Sequence, residues 1–274
     1  MNKCFVILIL LNTVGCSSFM PRKTMAHSKK IPFKERKALV EKAATGDAYA
    51  AWSIWNHHAF FSRKKKQEAK WLDRAAQLGH PQAQRWLAYE IIERGRPYQL
   101  FGKTPKDASF KLLTAASKTD GVAAYDLGKR HYEGYFGAVD RHMKALEAFQ
   151  LGASLHNAQC WKPLAEILHI GVGGEPDQSD AYYYICLATQ CRFGDEEHWD
   201  LRRKIEAELS LAQAQTIWER VDSYISKERK RSGGRINPPP FGGTGILENK
   251  WNERLKATDA YEAQHRNKLK RSLR

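Results

Sequence analysis

The sequence predicts an all-α chain: a right-handed α-solenoid of about four helix-turn-helix repeats, a C-terminal capping helix pair and a flexible tail. Three observations predict it. A small residue with Leu or Ile about one helical turn later recurs as Ala50 with Ile54, Ala83 with Leu87, Ala123 with Leu127 and Cys160 with Leu164. An Ala-led apolar stretch follows each, opening at Ala69, Ala108, Ala145 and Ala181, and both series repeat every 33 to 40 residues. Between the halves lie Gly95-Arg96-Pro97, Gly134 to Gly137 and Gly171 to Pro176, which are helix-ending sequences. Each half has a single apolar stripe, as in Leu146, Phe149 and Ala153. One helix pair cannot bury that stripe alone, so successive pairs must stack.

Composition narrows the class further. The 274 residues carry 45 Lys and Arg against 30 Asp and Glu, a net charge of +15. With 42% hydrophobic residues and eight Trp, the chain has apolar material that disordered sequences lack. A mean hydropathy of −0.60 excludes a multi-span membrane protein. The length suits one elongated domain or two compact ones.

Residues 1–15 read as a signal peptide. Lys3 supplies a positive start, Cys4 to Leu11 a short apolar run, and Gly15 a small residue before a cut; the run is too short to span a bilayer. Cys16 directly after Gly15 resembles the bacterial lipobox, although Thr13 replaces the usual Leu. The resemblance implies that Cys16 is diacylated and opens the mature chain, and Ser17 after it resembles cargo kept at the outer membrane. The expected location is therefore the periplasmic face of the outer membrane, with 16–34 as a lipidated linker. Beyond Cys16 stand Cys160, Cys186 and Cys191. Cys186 and Cys191 lie about 140° apart round a helix and cannot bridge within it. Three small buried apolar residues is the other reading.

The repeat region, 35–193, carries the clearest resemblance. Leu127-Gly128, Tyr132, Gly134, Asp140, Lys144-Ala145, Phe149 and Ala153 are similar to the Sel1-like repeat, a relative of the tetratricopeptide repeat. Gly171 to Gly174, Asp177 and Asp180 to Tyr183 resemble its loop and second helix. The second unit is lengthened around Leu100 to Lys106, and the first has Lys64-Lys65-Lys66 where its loop belongs. In some Sel1-like proteins a disulfide ties the two helices of one repeat, which implies a bridge between Cys160 and Cys186.

Residues 194–225 read as the capping pair, Asp195 to Leu209 and Ser210 to Ile225, with Ser210 at a helix start. From 226 the composition changes. The last 49 residues hold 13 Lys and Arg against 5 Asp and Glu, with Pro238 to Pro240 in an extended linker and Trp251, Leu255 and Tyr261 in a polar helix. A basic segment with aromatics suits nucleic acid, but a secreted chain meets little of it. An anionic leaflet or an acidic protein is the expected counter-surface, and the tail offers a second membrane contact.

No catalytic frame stands out. His57 and His58 are adjacent and point about 100° apart, so they do not converge on one metal. Asp195-Glu196-Glu197-His198 is explained by acidic residues favouring a helix start. Gly171 to Gly174 lacks the Lys-Ser/Thr of a phosphate loop. Neither a metal nor a cofactor is expected. The expected binding surface is a concave face lined by the first helix of each unit, where Arg85, Tyr89, Glu93, Lys129, Arg130 and Tyr132 flank the apolar stripe. Small Sel1-like lipoproteins of this kind resemble those beside secreted lipase effectors, which implies a periplasmic immunity protein that grips a toxin. An envelope scaffold is the alternative, and a cell-wall enzyme a third class.

Overall fold

The computed structural model describes residues 30–62, 64–172, 174–190 and 196–231. Cys16, the linker before residue 30, Cys191, Asp195 and the tail beyond 231 lie outside them. Every regular element among the described residues is helical, and successive helices run as a row of antiparallel pairs. α1 (Phe33–Ala44) covers the open side of α2 (Ala48–His57). The pairs are α2 with α3 (Lys65–Gln77), α4 (Pro81–Arg94) with α5 (Pro105–Ser117), α6 (Gly121–Tyr132) with α7 (Arg141–Ser154), and α8 (Trp161–Ile170) with α9 (Gln178–Gln190). First helices touch first helices, α4 on α6, and second helices touch second helices, α5 on α7, giving two layers. This is the stacked architecture that the 33-to-40-residue period predicts.

The units share one starting device. Asp47 accepts from the Ala50 amide at 2.9 Å, His80 Nδ1 from Ala83 at 3.4 Å, Asp120 from Val122 at 2.9 Å, and Asn157 from Gln159 at 3.2 Å. Each of these side chains satisfies an amide that the first turn leaves unpaired. Gly95 and Gly171 end α4 and α8 in the left-handed conformation, at φ 63° and 73°. In the lengthened second unit, the Arg96 guanidinium donates to the Ala69 carbonyl at 2.8 Å and pairs with Asp73 at 2.9 Å and Glu90 at 3.3 Å. Thr104 then caps α5 at Asp107, 3.1 Å away.

Small residues set the spacing between helices. Ala50, Ala83, Ala123 and Cys160, the repeated positions, are all buried. A methyl on Gly128 would strike the Phe149 ring, and one on Gly152 would strike Cys160 Sγ. The expected bridge between Cys160 and Cys186 is absent, because Cys160 carries a free thiol. It packs with Phe149, Leu164 and Ile167 between α7 and α8, whereas Cys186 faces a separate cluster with Tyr182, Ile185 and Trp218. Burial pushes the Cys160 thiol well above the usual range, with Asp126 adding to the effect.

Three boundaries differ from the sequence reading. α1 spans the expected linker and repeat boundary at residue 35. α2 passes directly into a π turn, His58–Ser62, rather than a loop, and Lys65 and Lys66 open α3. α10 (Glu196–Glu206) and α11 (Leu211–Arg231) both pack on α9, α10 also reaching α8, and α11 continues six residues past Ile225. Ser210 opens α11 with a reciprocal cap: its amide donates to Gln213 Oε1 at 2.9 Å while its hydroxyl faces the Gln213 amide. Ile205, Ile217, Trp218 and Val221 thereby cover Tyr182 and Ile185.

Candidate functional site

The expected binding residues separate into a connected strip and two outliers. Arg85, Tyr89 and Glu93 stand at i, i+4 and i+8 on α4, which places them along one line of the helix. Asp126 and Arg130 form the matching line on α6. Arg85 reaches Asp120, the cap of α6, at 3.3 Å, and Glu93 pairs with Arg130, which also lies 3.5 Å from Glu133. Arg85 and Arg130 are thus engaged within the chain and hold α4 to α6. Lys129 lies alongside, half exposed and 3.8 Å from Glu133. Tyr132 leaves the strip: its ring turns to His142, 5.4 Å away, and burial with the nearby Glu166 pushes its phenol up.

Asp126 sits within this strip and was not singled out from the sequence. It is half-buried and accepts no hydrogen bond among the described residues. Burial pushes its carboxyl up to about 6 against the pull of Arg85, and Asp120 adds repulsion that Arg130 and Lys129 oppose. The face therefore holds a carboxylate without a direct partner between two arginines already spoken for.

Aromatic side chains extend the strip toward α2. Trp52 stacks on Trp55 at 4.3 Å and on His80 at 4.8 Å, while Tyr49 meets His80 edge-on at 4.8 Å. Trp55 approaches Trp86 at 5.7 Å, and Trp86 approaches Tyr89 at 6.1 Å. Tyr49 is 72% exposed, so the row ends in an open aromatic edge. The signal was present in the sequence as paired aromatics three apart, 49 with 52 and 86 with 89. Only Tyr89 of these four is among the binding residues expected from the sequence, and of the row's tryptophans Trp55 and Trp86 are buried in the core.

His57 and His58 do not share a ligand. His57 Nε2 contacts the Arg36 guanidinium at 3.1 Å, and its Nδ1 accepts from the Ile31 amide at 3.3 Å, so it ties α1 to α2. His58 pairs with Ser62 Oγ at 2.6 Å inside the π turn. Among the described residues no three His, Cys, Asp or Glu side chains gather as metal ligands, and no helix is long and apolar enough to cross a membrane.

No family model matches the sequence, and no curated protein does. Solved structures are similar. The c5321 protective antigen of uropathogenic Escherichia coli, described as displaying an SLR fold, superposes with a TM-score of 0.57 at 19% identity over 78% of this chain. This chain spans 45% of that protein's length. A Sel1 repeat protein from Oxalobacter formigenes gives a TM-score of 0.49 at 19% identity, over 72% of this chain and 81% of that one. The paired helices, their shared starting caps and the likeness to the c5321 antigen give this chain a Sel1-like repeat fold.

Proposed function

We propose that the chain is a non-enzymatic protein-binding lipoprotein of the bacterial envelope, anchored through Cys16 at the periplasmic face of the outer membrane. The observation that carries the binding role is Asp126. Burial disfavours the charged form of Asp126, which accepts no hydrogen bond among the described residues, so its charge is a cost to folding, and such costs collect where a surface serves binding. Around it stand Arg85, Tyr89 and Arg130, with Tyr49 and Trp52 beyond, the residue types that dominate interface hot spots. Stacked helix pairs offer such faces to protein partners. The +15 charge steers an acidic partner at long range, while the contact itself is of mixed charge. In its most specific form the partner is a secreted lipase-type toxin and this chain its immunity protein.

Asp126→Asn is the informative variant, because it removes the charge without removing a folding contact. Epitope-tagged parent protein is expected to retain one stoichiometric partner from detergent extracts, and Asp126→Asn and Tyr89→Ala to lose it while melting no lower than about 2 kcal/mol below the parent. Retention by both variants overturns the assignment of this face. Several envelope proteins in unequal amounts point instead to a scaffold. Sensitivity of a deletion strain to sister cells tests the immunity form, and palmitate labelling lost in Cys16→Ala tests the anchor.

A further inference from the structure

The amino-terminal end of the solenoid gathers cations around exposed apolar side chains. On α1, Phe33, Lys37 and Val40 share the outward face at i, i+4 and i+7, with Lys30 and Lys34 beside them. Phe33 is 78% exposed and Val40 41%. The stripe about a quarter turn away, through Arg36, Leu39 and Ala43, is the one that packs on α2, and the Arg36 guanidinium lies over the Phe33 ring, 5.8 Å from its centroid. Lys64 before α3 belongs to the same end, since Arg36 and Lys64 both act on His58 and Lys30 acts on His57, and Lys66 follows it in the first turn of α3; at the other end of the two helices Arg74 donates to the Ala43 carbonyl at 3.2 Å. Lys30, Lys34, Lys37, Lys64 and Lys66 have no carboxylate partner among the described residues. Acid is present but sparse: Glu35 and Glu41 lie on α1, and Glu68 is occupied by Lys65 at 3.0 Å.

Two alternatives fit this chemistry less well. A single-stranded nucleic acid would stack a base on Phe33, but the exposed Val40 offers no ring face, and a secreted chain meets little nucleic acid. A protein partner is expected to bury such apolar groups in a pocket with the charges at its rim. A bilayer surface suits both features together, because phosphates take the ammonium groups while the ring enters the boundary between headgroups and chains. Lys30 is the first described residue, so the rest of the amino-terminal sequence joins the chain at this end.

We infer that the outer face of α1, with Lys64 and Lys66, is a docking surface for an anionic lipid leaflet, seated by Phe33. It extends the envelope reading but does not depend on acylation of Cys16. The basic tail is not part of it.

The test is co-sedimentation of the full chain with vesicles of phosphatidylcholine alone or mixed with phosphatidylglycerol. Partition to the anionic vesicles is expected to fall at least about tenfold in K30E/K34E/K37E and about threefold or more in Phe33→Ser. The control Lys118→Glu, an exposed lysine at the end of α5, is expected to bind like the parent. Unchanged folding is checked by circular dichroism and melting temperature, which these exposed positions should leave alone. Parent-like binding by the α1 variants, an equal loss in Lys118→Glu, or loss in K30E/K34E/K37E without loss in Phe33→Ser each overturns the inference. The last outcome describes a polyanion site, and equal competition by soluble polyglutamate would identify it. If the α1 variants bind like the parent while Cys16 is acylated, this surface falls and the lipid anchor stands.

Discussion

Two titrating residues pull stability in opposite directions with pH. Burial lowers His80 from 6.5 to about 4, with Asp120 opposing, so the folded state favours the neutral ring. Its contribution is complete above pH 6.5 and is lost as pH falls toward 4, because the unfolded chain binds the proton first. The difference is worth about 3 kcal/mol. Asp126 behaves oppositely: burial raises it from 3.8 to about 6, so its stabilising proton is lost as pH rises through 6. His80→Asn, which keeps a capping side chain, is expected to flatten the fall in melting temperature between pH 6.5 and 4. Asp126→Asn is expected to gain about 1–2 kcal/mol at pH 7.5 and almost nothing below pH 4, allowing for its partial exposure. Urea titrations across this range check both. Arg202 is a third residue of consequence, 1% exposed, with Trp218 4.5 Å and Trp199 5.1 Å from its guanidinium. Lys lacks the planar group that stacks there, so Arg202→Lys is expected to destabilise by about 2 kcal/mol in denaturant melts.

Helix contacts are governed by the small residues between them. Gly152 on α7 lies against Cys160 at the start of α8 and against Gly121 and Ala124 of α6, with no space for a methyl. Gly152→Ala is expected to cost about 1–3 kcal/mol. Cys160→Ala removes the nearest obstructing atom, so the double variant should recover part of that loss, and a double-mutant cycle by denaturant melts measures the coupling. The sequence made these elements legible because Ala, Gly and Cys recur where helices meet. α1 escaped the repeat reading because it has no partner half and buries only Ala43 fully. The π turn escaped because nothing in His58 to Ser62 breaks helix periodicity. The binding strip was half legible: the α4 and α6 lines follow from helical spacing, but Asp126 looked like an ordinary surface carboxylate. Its isolation depends on which partners Arg85 and Arg130 choose across the helix gap, and periodicity carries no record of that choice.

Across the whole molecule, each pair depends mainly on its neighbours. Removing residues 196–231 uncovers Tyr182, Ile185 and Leu187, which Ile205, Trp218 and Val221 otherwise cover. Amide exchange in α8 and α9 is therefore expected to accelerate by at least about tenfold in that truncation, while α4 and α5 keep their rates. Uniform acceleration along the chain would contradict this nearest-neighbour dependence. The connection between α4 and α5 shows where such an array accepts new sequence. Arg96 fastens one side of it to Ala69, Asp73 and Glu90, and Thr104 starts the next helix on the other. Gln99 and Leu100 lie between these two fixed points and face solvent. A foreign loop or a small reporter domain spliced there meets a ready-made port, and the pitch of the stack passes on unchanged to the units that follow.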